Sequence, residues 1–330
     1  MNHPVIVNGG QKSLEIREGE SLLAGLSRSG IILPTVCGGR GKCGFCRIRV
    51  ETGAGPLTEA ERERLSPLEL ESGVRLACQV RVTGETAITI RDDLFNARRF
   101  TAIVKGKTFL ARDIVKLVLE IVPPASMPFV PGQFILLRSG IPAAIRAYSM
   151  ASSPSVTGTF ALIIKKVPQG LCSGWISDQL QAGAEVRFSG PYGDFRLSVS
   201  DAPALFIAGG SGMAPMAGML FGMKEQGSAR RIVFYFGAVT KKDLFYIEEM
   251  RSLEKALPGF RFIPALSGEA LDSEWRGERG LVPDVAERHL KQEKFTEAYL
   301  CGPPRMIAAC LVMLSRNGFM KKNIFYDRFE

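Results

Sequence analysis

Four of the seven cysteines in this 330-residue chain stand where their side chains can share one inorganic group. Cys37, Cys43 and Cys46 fall in a single glycine-rich run, Cys-Gly-Gly-Arg-Gly-Lys-Cys-Gly-Phe-Cys, and Cys78 follows alone after Leu76-Ala77. Thiolates are the usual terminal ligands of iron–sulfur clusters, and two irons bridged by sulfide need four of them. Three ligands from one loop and a distant fourth is the pattern of a [2Fe–2S] metal site. Zinc is the alternative, since Cys-x2-Cys pairs also bind zinc, but only one such pair is present. The loop glycines let backbone N–H groups approach sulfur with no Cβ in the way. Those donors, with Arg40 and Lys42 close in sequence, favour adding an electron to an anionic cluster. Cys172, Cys301 and Cys310 are expected to be free thiols, with Cys310 a core residue of an apolar helix.

A second constellation is Ile207-Ala208-Gly209-Gly210-Ser211-Gly212-Met213-Ala214-Pro215, which follows an apolar strand and opens a helix. Backbone N–H groups at a helix N-terminus bind diphosphates, and glycines allow close approach. Such a turn also occurs in ordinary strand–helix packing. Cys301-Gly302-Pro303-Pro304-Arg305-Met306 comes after a late apolar strand. A nucleophilic role for Cys301 lacks a base, because the chain has only His3 and His289.

The five-residue gap between Cys37 and Cys43, with Cys78 far downstream, resembles the ferredoxin domain of the F subunits of sodium-translocating NADH:quinone reductases. Arg146-Ala147-Tyr148-Ser149-Met150 in turn resembles the Arg-x-Tyr-Ser signature of the ferredoxin–NADP reductase superfamily. That resemblance implies FAD, with Arg146 on its diphosphate, Tyr148 against the ring, and the Ser149 hydroxyl near the nitrogen that gains a hydride. The residue types suit those tasks: a guanidinium for phosphate, an aromatic face for a ring, a hydroxyl for a nitrogen. A strand with one exposed arginine is the plain alternative for so short a match. The context agrees: Pro131-Gly132-Gln133-Phe134 precedes it. The run from Lys165 to Ser173 looks like a second phosphate-binding element, carried by Lys165, Gly170 and Ser173, and Gly190-Pro191-Tyr192-Gly193 looks like a turn closing the flavin barrel. The Gly-x-Gly-x-x-Pro form of Gly210, Gly212 and Pro215 is the superfamily's nicotinamide turn. With it the resemblance assigns Gly209, Gly210, Ser211, Gly212, Met213, Cys301, Gly302 and Pro303 to the nucleotide, the Cys301 thiol facing the nicotinamide. Met150 joins the flavin set, and Phe329 is the near-terminal aromatic that stacks over the flavin; an exposed chain end is the alternative. The strand ending Phe236-Gly237-Ala238 runs into Val239-Thr240-Lys241-Lys242 without the Ser-Arg phosphate clamp of NADPH users, which favours NADH. Catalytic tasks then fall to Ser149, Cys301 and Phe329.

These residues need elements to hold them. Residues 1–95 read as a small β-rich domain: a hairpin across Asn8-Gly9-Gly10, a short helix over 21–29 ended by Gly30, and strands at 47–51 and 86–90. The Glu/Arg-rich stretch 58–70 reads as a solvated helix or turn broken by Pro67. Residues 96–200 alternate short β runs with Gly and Pro, clearest at 115–121, 133–138 and 160–165, as an antiparallel β-barrel does. Residues 201–330 alternate apolar strands (204–208, 232–236, 298–300) with helical stretches, the pattern of a doubly wound parallel sheet. The expected fold is a multidomain α/β chain: a β-grasp ferredoxin domain, an antiparallel flavin barrel and an α/β nucleotide domain.

The net charge of +9 lies wholly beyond Phe95, since the first 95 residues carry 12 basic and 12 acidic side chains. A diffuse positive surface suits anionic cofactors, and without a basic run bearing interleaved aromatics nucleic acid is not an expected partner. No secretory signal is visible, and the uncharged stretch 202–223 is interrupted by Gly209, Gly210, Gly212 and Pro215, which argues against a membrane helix. The resembling pump subunits carry a membrane helix ahead of the ferredoxin domain; here the first strand begins within a few residues of Met1, so the expectation is a cytoplasmic protein with no direct membrane insertion. The order of parts implies electrons passing from NADH to FAD to [2Fe–2S] and on to a redox protein acceptor such as an oxygenase. Two other readings are a peripheral electron-input subunit of a membrane NADH:quinone reductase and a redox-sensing binding protein.

Overall fold

The computed structural model describes residues 1–140, 143–153, 155, 158–270, 273–290 and 293–328. The first sheet begins with the expected hairpin, β1 (Asn2–Val7) against β2 (Lys12–Arg17). Helix α1 (Leu22–Arg28) starts where the Ser21 hydroxyl accepts the Ala24 N–H at 3.3 Å. Strand β3 (Arg47–Thr52) follows the cysteine loop. Pro67 separates two helices, α2 (Glu59–Arg64) and α3 (Pro67–Glu71), each opened by a Ser/Thr–Glu capping box. Strands β4 (Val74–Leu76) and β5 (Thr86–Thr89) and helix α4 (Asp92–Phe95) complete this part. The order β2-β1-β5-β3-β4, with β1 and β5 parallel and the other pairs antiparallel, makes a mixed sheet of the expected small-domain type.

One expectation fails here. The stretch 58–70 is not simply solvated: the Glu61 side chain is fully buried. It accepts from Arg75 Nε at 2.7 Å and Nη2 at 2.9 Å and from the Leu76 N–H at 3.1 Å. A carboxylate survives burial only with such partners.

The second sheet holds β6 (Arg98–Ala111), β7 (Ile114–Ile121), β8 (Phe134–Arg138), β9 (Ile145–Ser149), β10 (Thr159–Lys165) and β11 (Glu185–Tyr192), in the order β10-β7-β6-β11-β8-β9. Its recorded pairings are antiparallel. Met150, just past β9, bridges to Leu162 in β10, which links the two ends of that order. Gly190, Pro191 and Tyr192 belong to β11 beside a register shift, so they are bulged strand and not the expected turn. Helix α5 (Leu171–Gly174) follows β10.

The third sheet is parallel throughout: β12 (Ala204–Gly209), β13 (Ile232–Ala238), β14 (Phe260–Leu266), β15 (Glu278–Arg279), β16 (Glu297–Gly302) and β17 (Ile324–Arg328), in the order β15-β14-β13-β12-β16-β17. Alternation along β12 explains its two apolar faces. Phe206 and Ala208 pack with α6 (Met213–Glu225) and α7 (Ile247–Ala256), while Leu205 and Ile207 pack with α8 (Val282–Leu290) and α9 (Pro304–Arg316). The uncharged stretch 202–223 is therefore a buried strand, turn and helix, and no helix among the described residues is long and apolar enough to cross a membrane. Residues 324–328 are no loose chain end: they pair with β16, and Phe325 stacks on Tyr299 at 4.8 Å.

The chain forms two compact units, residues 1–101 with 134–147 and 186–193, and residues 102–133 with 148–185 and 194–330. In the first, Leu136 and Tyr192 are buried in the same core as Val5, Ile16, Leu26 and Ile48. In the second, the core of α6 and α7 also includes Ile114 and Ile163 of the second sheet.

Candidate functional site

The four expected cluster ligands lie in two pairs. The Cys37 thiol hydrogen-bonds to Cys43, and the Cys46 thiol to Cys78. Burial works to raise Cys37, but the N–H groups of Cys43, Lys42 and Arg40 and the Cys43 thiol prevail and bring it down to about 6. Cys78 is also drawn down to about 6, by its hydrogen bond with Cys46 and, against burial, by the Gln79 side chain and the Gly41 N–H. Cys46 moves the other way, raised by its bond to Cys78 and by burial. Gln79 Nε2 stands 3.3 Å from the Cys78 sulfur, a donor that the sequence pattern did not single out although it adjoins the cysteine. Gly41 has φ +72, and a Cβ there would lie 2.9 Å from that of Ala60.

The loop 37–46 has no helix or strand, so side chains hold it. Arg40 Nε donates to the Cys37 carbonyl at 2.7 Å, and Arg47 donates to the Gly44 carbonyl. The Ala77 N–H donates to the Cys46 carbonyl at 2.9 Å, tying the loop to the Cys78 segment. Two thiol pairs with amide donors turned onto sulfur fit two irons with two ligands each. Among the described residues no three metal-ligating side chains converge on one point.

On β9, Arg146 is exposed, Tyr148 half-buried and Ser149 buried. The Met150 N–H donates to the Gln133 carbonyl at 3.0 Å, which links the Arg-x-Tyr-Ser strand to the Pro-Gly-Gln segment. Around Gly170 the chain turns tightly: the Val167 N–H donates to Ser173 Oγ at 3.1 Å, and a Cβ on Gly170 would sit 3.0 Å from the Val167 carbonyl. Lys165 pairs with Asp113 at 3.5 Å, and its stem passes 4.0 Å from where a Gly210 Cβ would be. The Lys165 end of that run and the glycine turn after β12 are thus neighbours.

That turn runs from Gly209 through a single helical turn, Gly210–Gly212, into α6 at Met213. It lies at the carboxyl end of β12, where the winding reverses between β13 and β16, the place where open α/β sheets form their ligand crevice. The Cys301-Gly302-Pro303 segment leaves β16 directly beside it. A Cβ on Gly212 would overlap the Cys301 carbonyl, and one on Gly302 would stand 2.9 Å from the Gly209 carbonyl. Cys301 itself is fully buried, and burial, with Asp327 adding to it, pushes its thiol well above the usual range. Both effects disfavour the thiolate, the form a nucleophilic cysteine needs. Phe329 lies outside the described residues.

Beyond β13, residues 267–269 run alongside 238–241: the Gly268 N–H donates to the Val239 carbonyl at 2.8 Å and the Lys241 N–H to Glu269 Oε2 at 3.0 Å. Glu269 was invisible in the sequence because it is 28 residues from its partner. A separate cleft of about 350 Å³, lined by Lys116, Ser152, Phe221, Lys224 and Tyr246 among others, contains none of the expected site residues.

Comparisons with known proteins bear on all three parts. Residues 5–83 match the 2Fe-2S iron-sulfur cluster binding domain family, 101–197 the oxidoreductase FAD-binding domain family, and 206–311 the oxidoreductase NAD-binding domain family. The chain is 35% identical over 331 residues to the reductase component of propane 2-monooxygenase from Mycolicibacterium smegmatis, covering 96% of this chain and 94% of that one. It is 32% identical over 365 residues to the F subunit of the Na(+)-translocating NADH-quinone reductase of Neisseria meningitidis, covering 97% and 90%. Among solved structures, an Amycolatopsis cytochrome P450 reductase superposes with TM-score 0.82 at 29% identity, covering 99% and 98%. The ferredoxin reductase in carbazole 1,9a-dioxygenase superposes with TM-score 0.72 at 26% identity, covering 100% and 99%.

Proposed function

Since the chain belongs to the ferredoxin reductase family whose members join an N-terminal [2Fe–2S] domain to FAD- and NAD-binding domains, we propose that it is the NADH-dependent reductase component of an oxygenase or a similar redox system. It is an oxidoreductase for electron transfer from a nicotinamide through FAD to a [2Fe–2S] cluster. When bound, FAD takes up the two electrons of a hydride and the cluster carries one at a time. The observation that carries the oxygenase reading is the near end-to-end match to a monooxygenase reductase component. The F subunit of the sodium-translocating reductase, matched over a similar share, supports the second reading, an electron-input component of a membrane complex.

In this reading the division of labour is 1–95 for the cluster, 96–200 for FAD and 201–330 for NAD. Cys37, Cys43, Cys46 and Cys78 hold the cluster, with Gly41, Gln79 and the 40–43 amides tuning its sulfurs. Arg146 and the Gly170–Ser173 turn hold diphosphate, Tyr148 and Met150 line the ring, and Ser149 offers its hydroxyl to the ring nitrogen. The Gly209–Met213 turn binds the dinucleotide, with Cys301, Gly302 and Pro303 beside the nicotinamide and Phe329 over the flavin. The Glu269 carboxylate beyond β13 supports NADH, because a negative charge there opposes the extra phosphate of NADPH.

An anaerobic NADH titration followed by absorbance and electron paramagnetic resonance tests the reading. Bleaching of the flavin and then growth of the reduced-cluster signal is the expected result. A catalytic efficiency with NADH at least about tenfold above that with NADPH is expected, in the range that one charged contact discriminates; equal use defeats the NADH assignment. Stable association with a purified membrane fraction, and no transfer to oxygenase components, would instead select the second reading.

A further inference from the structure

Tyr192 is fully buried, yet its hydroxyl is not idle: it donates to the Ile32 carbonyl at 3.1 Å, across 160 residues of chain, five positions before Cys37. Burial pushes its phenol up to about 12, so the proton stays available for that bond. In the second sheet Tyr192 of β11 is paired in register with Phe134 of β8, and their rings lie 5.7 Å apart. Phe134 in turn meets Phe45 at 6.2 Å, and Phe45 lies between Cys43 and Cys46. Leu136, two positions on from Phe134 along β8, is buried in the core of the first sheet, while Ile145 and Ala147 of β9 pack against it. The cysteine loop is therefore held at Phe45 by an aromatic contact and, five residues before Cys37, at Ile32 by a hydrogen bond, from two strands of the sheet that carries Arg146.

We propose that Phe134 and Tyr192 are positioning residues that clamp the cluster-bearing loop onto the flavin sheet. The cluster domain then works from one fixed pose, instead of swinging on the segment 96–97 to collect electrons and deliver them. This rests on the cluster and FAD reading above. A buried phenol with a satisfied hydroxyl, set against the half-buried Phe134, specifies one arrangement, because sliding the surfaces strands both the phenol and its acceptor carbonyl. A domain that swings needs a polar, easily wetted contact instead.

The test uses holoenzyme variants Phe134→Leu and Tyr192→Phe, with Cys78→Ser as a reference lacking the cluster. Hydrogen–deuterium exchange over residues 31–46 reads the clamp directly and needs no turnover. In parallel, turnover is measured with ferricyanide, which the reduced flavin reduces without the cluster, and with a protein acceptor such as cytochrome c. Phe134→Leu is expected to speed exchange in the loop and to lower the cytochrome-to-ferricyanide ratio about tenfold, as small displacements of positioned groups do. Tyr192→Phe keeps the ring and is expected to show a smaller shift in the same direction. Flavin content and ferricyanide turnover should stay within about twofold of wild type, since neither Phe134 nor Tyr192 is among the residues assigned to FAD or the dinucleotide. Unchanged loop exchange in both variants overturns the clamp. If the wild-type protein fails to reduce its own cluster with NADH, the functional reading falls, while the exchange result still decides whether the loop is clamped.

Discussion

The cysteine loop and the glycine turn after β12 both gather glycines and backbone amides at one point, but they are held by different means. The turn is backbone packed on backbone: Gly212 lies against the Cys301 carbonyl and Gly302 against Gly209, between strands whose register is set by the sheet. The loop has no such frame. Arginine side chains reach back to its carbonyls, and the buried Glu61–Arg75 pair anchors the segment just before Cys78. The Arg75 guanidinium also donates to the carbonyls of Ala54 and Gly55, each at 3.1 Å, and of Pro56 at 3.0 Å. A loop that must turn several amides onto sulfur cannot spend them on a ladder, so apart from the Ala77–Cys46 backbone bond its support comes from side chains.

The sharpest way to separate the two regions is Cys78→Ser. It should abolish the cluster's visible absorption and lower cluster-dependent turnover roughly a hundredfold or more, beyond the about 10–100-fold typical of losing an outer-shell partner alone. Nucleotide binding measured by titration should not change. Next in size is Glu61→Ala. Removing one partner of a buried ion pair costs about 3–5 kcal/mol. Calorimetry should show the loss in the transition of the cluster domain. Gly212→Ala is the counterpart in the turn, where overpacking costs about 1–3 kcal/mol. It should raise KM for NADH while leaving the cluster spectrum intact; an unchanged KM would mean that the turn does not meet the dinucleotide.

Acid titration sharpens the comparison, because a buried ion pair lies near the cysteine loop and another in the nucleotide domain. Burial opposes ionisation of Glu61, but hydrogen bonds from Arg75 and from the backbone of Thr58 and Leu76 keep its carboxyl below the ordinary 4.5. Glu297, beside Tyr299, Arg230 and Ser198, behaves likewise in the nucleotide domain. A depressed value means that the stabilisation is complete above 4.5 and is lost as pH falls below it through the lowered value. Melting temperature should therefore drop on acidification in that window, and Glu61→Gln or Glu297→Gln should flatten the drop in its own domain. The smallest effect expected is for Glu269→Gln, which should improve NADPH use relative to NADH by about three- to tenfold, the worth of one partly exposed charge.

Much of this was legible in the chain. The hairpin around Asn8–Gly10 and the strand–glycine–helix run at 204–225 depend on residues close in sequence, and the structure has them where that pattern puts them. Glu61 was not legible. It sits in Glu-Ala-Glu-Arg-Glu-Arg, a run whose composition says solvent, and its burial depends on an arginine 14 residues away. Tyr192 stood in a recognisable tetrapeptide, but neither the strand it belongs to nor its bond to Ile32 follows from local sequence. The C-terminal strand was missed because a five-residue edge strand has too short a pattern to separate from a loose tail.

That last strand has a consequence for handling the protein. β17 is the outermost member of the parallel sheet, and on its inner side lies β16, whose Ala298, Tyr299 and Leu300 are wholly buried. Clipping the chain before Ile324 would leave β16 with a row of unpaired backbone groups and bare the Tyr299 ring that Phe325 now covers. An uncovered apolar edge is a template for another chain. Proteolytic trimming at this end should thus show itself first as self-association in light scattering, before any redox property changes.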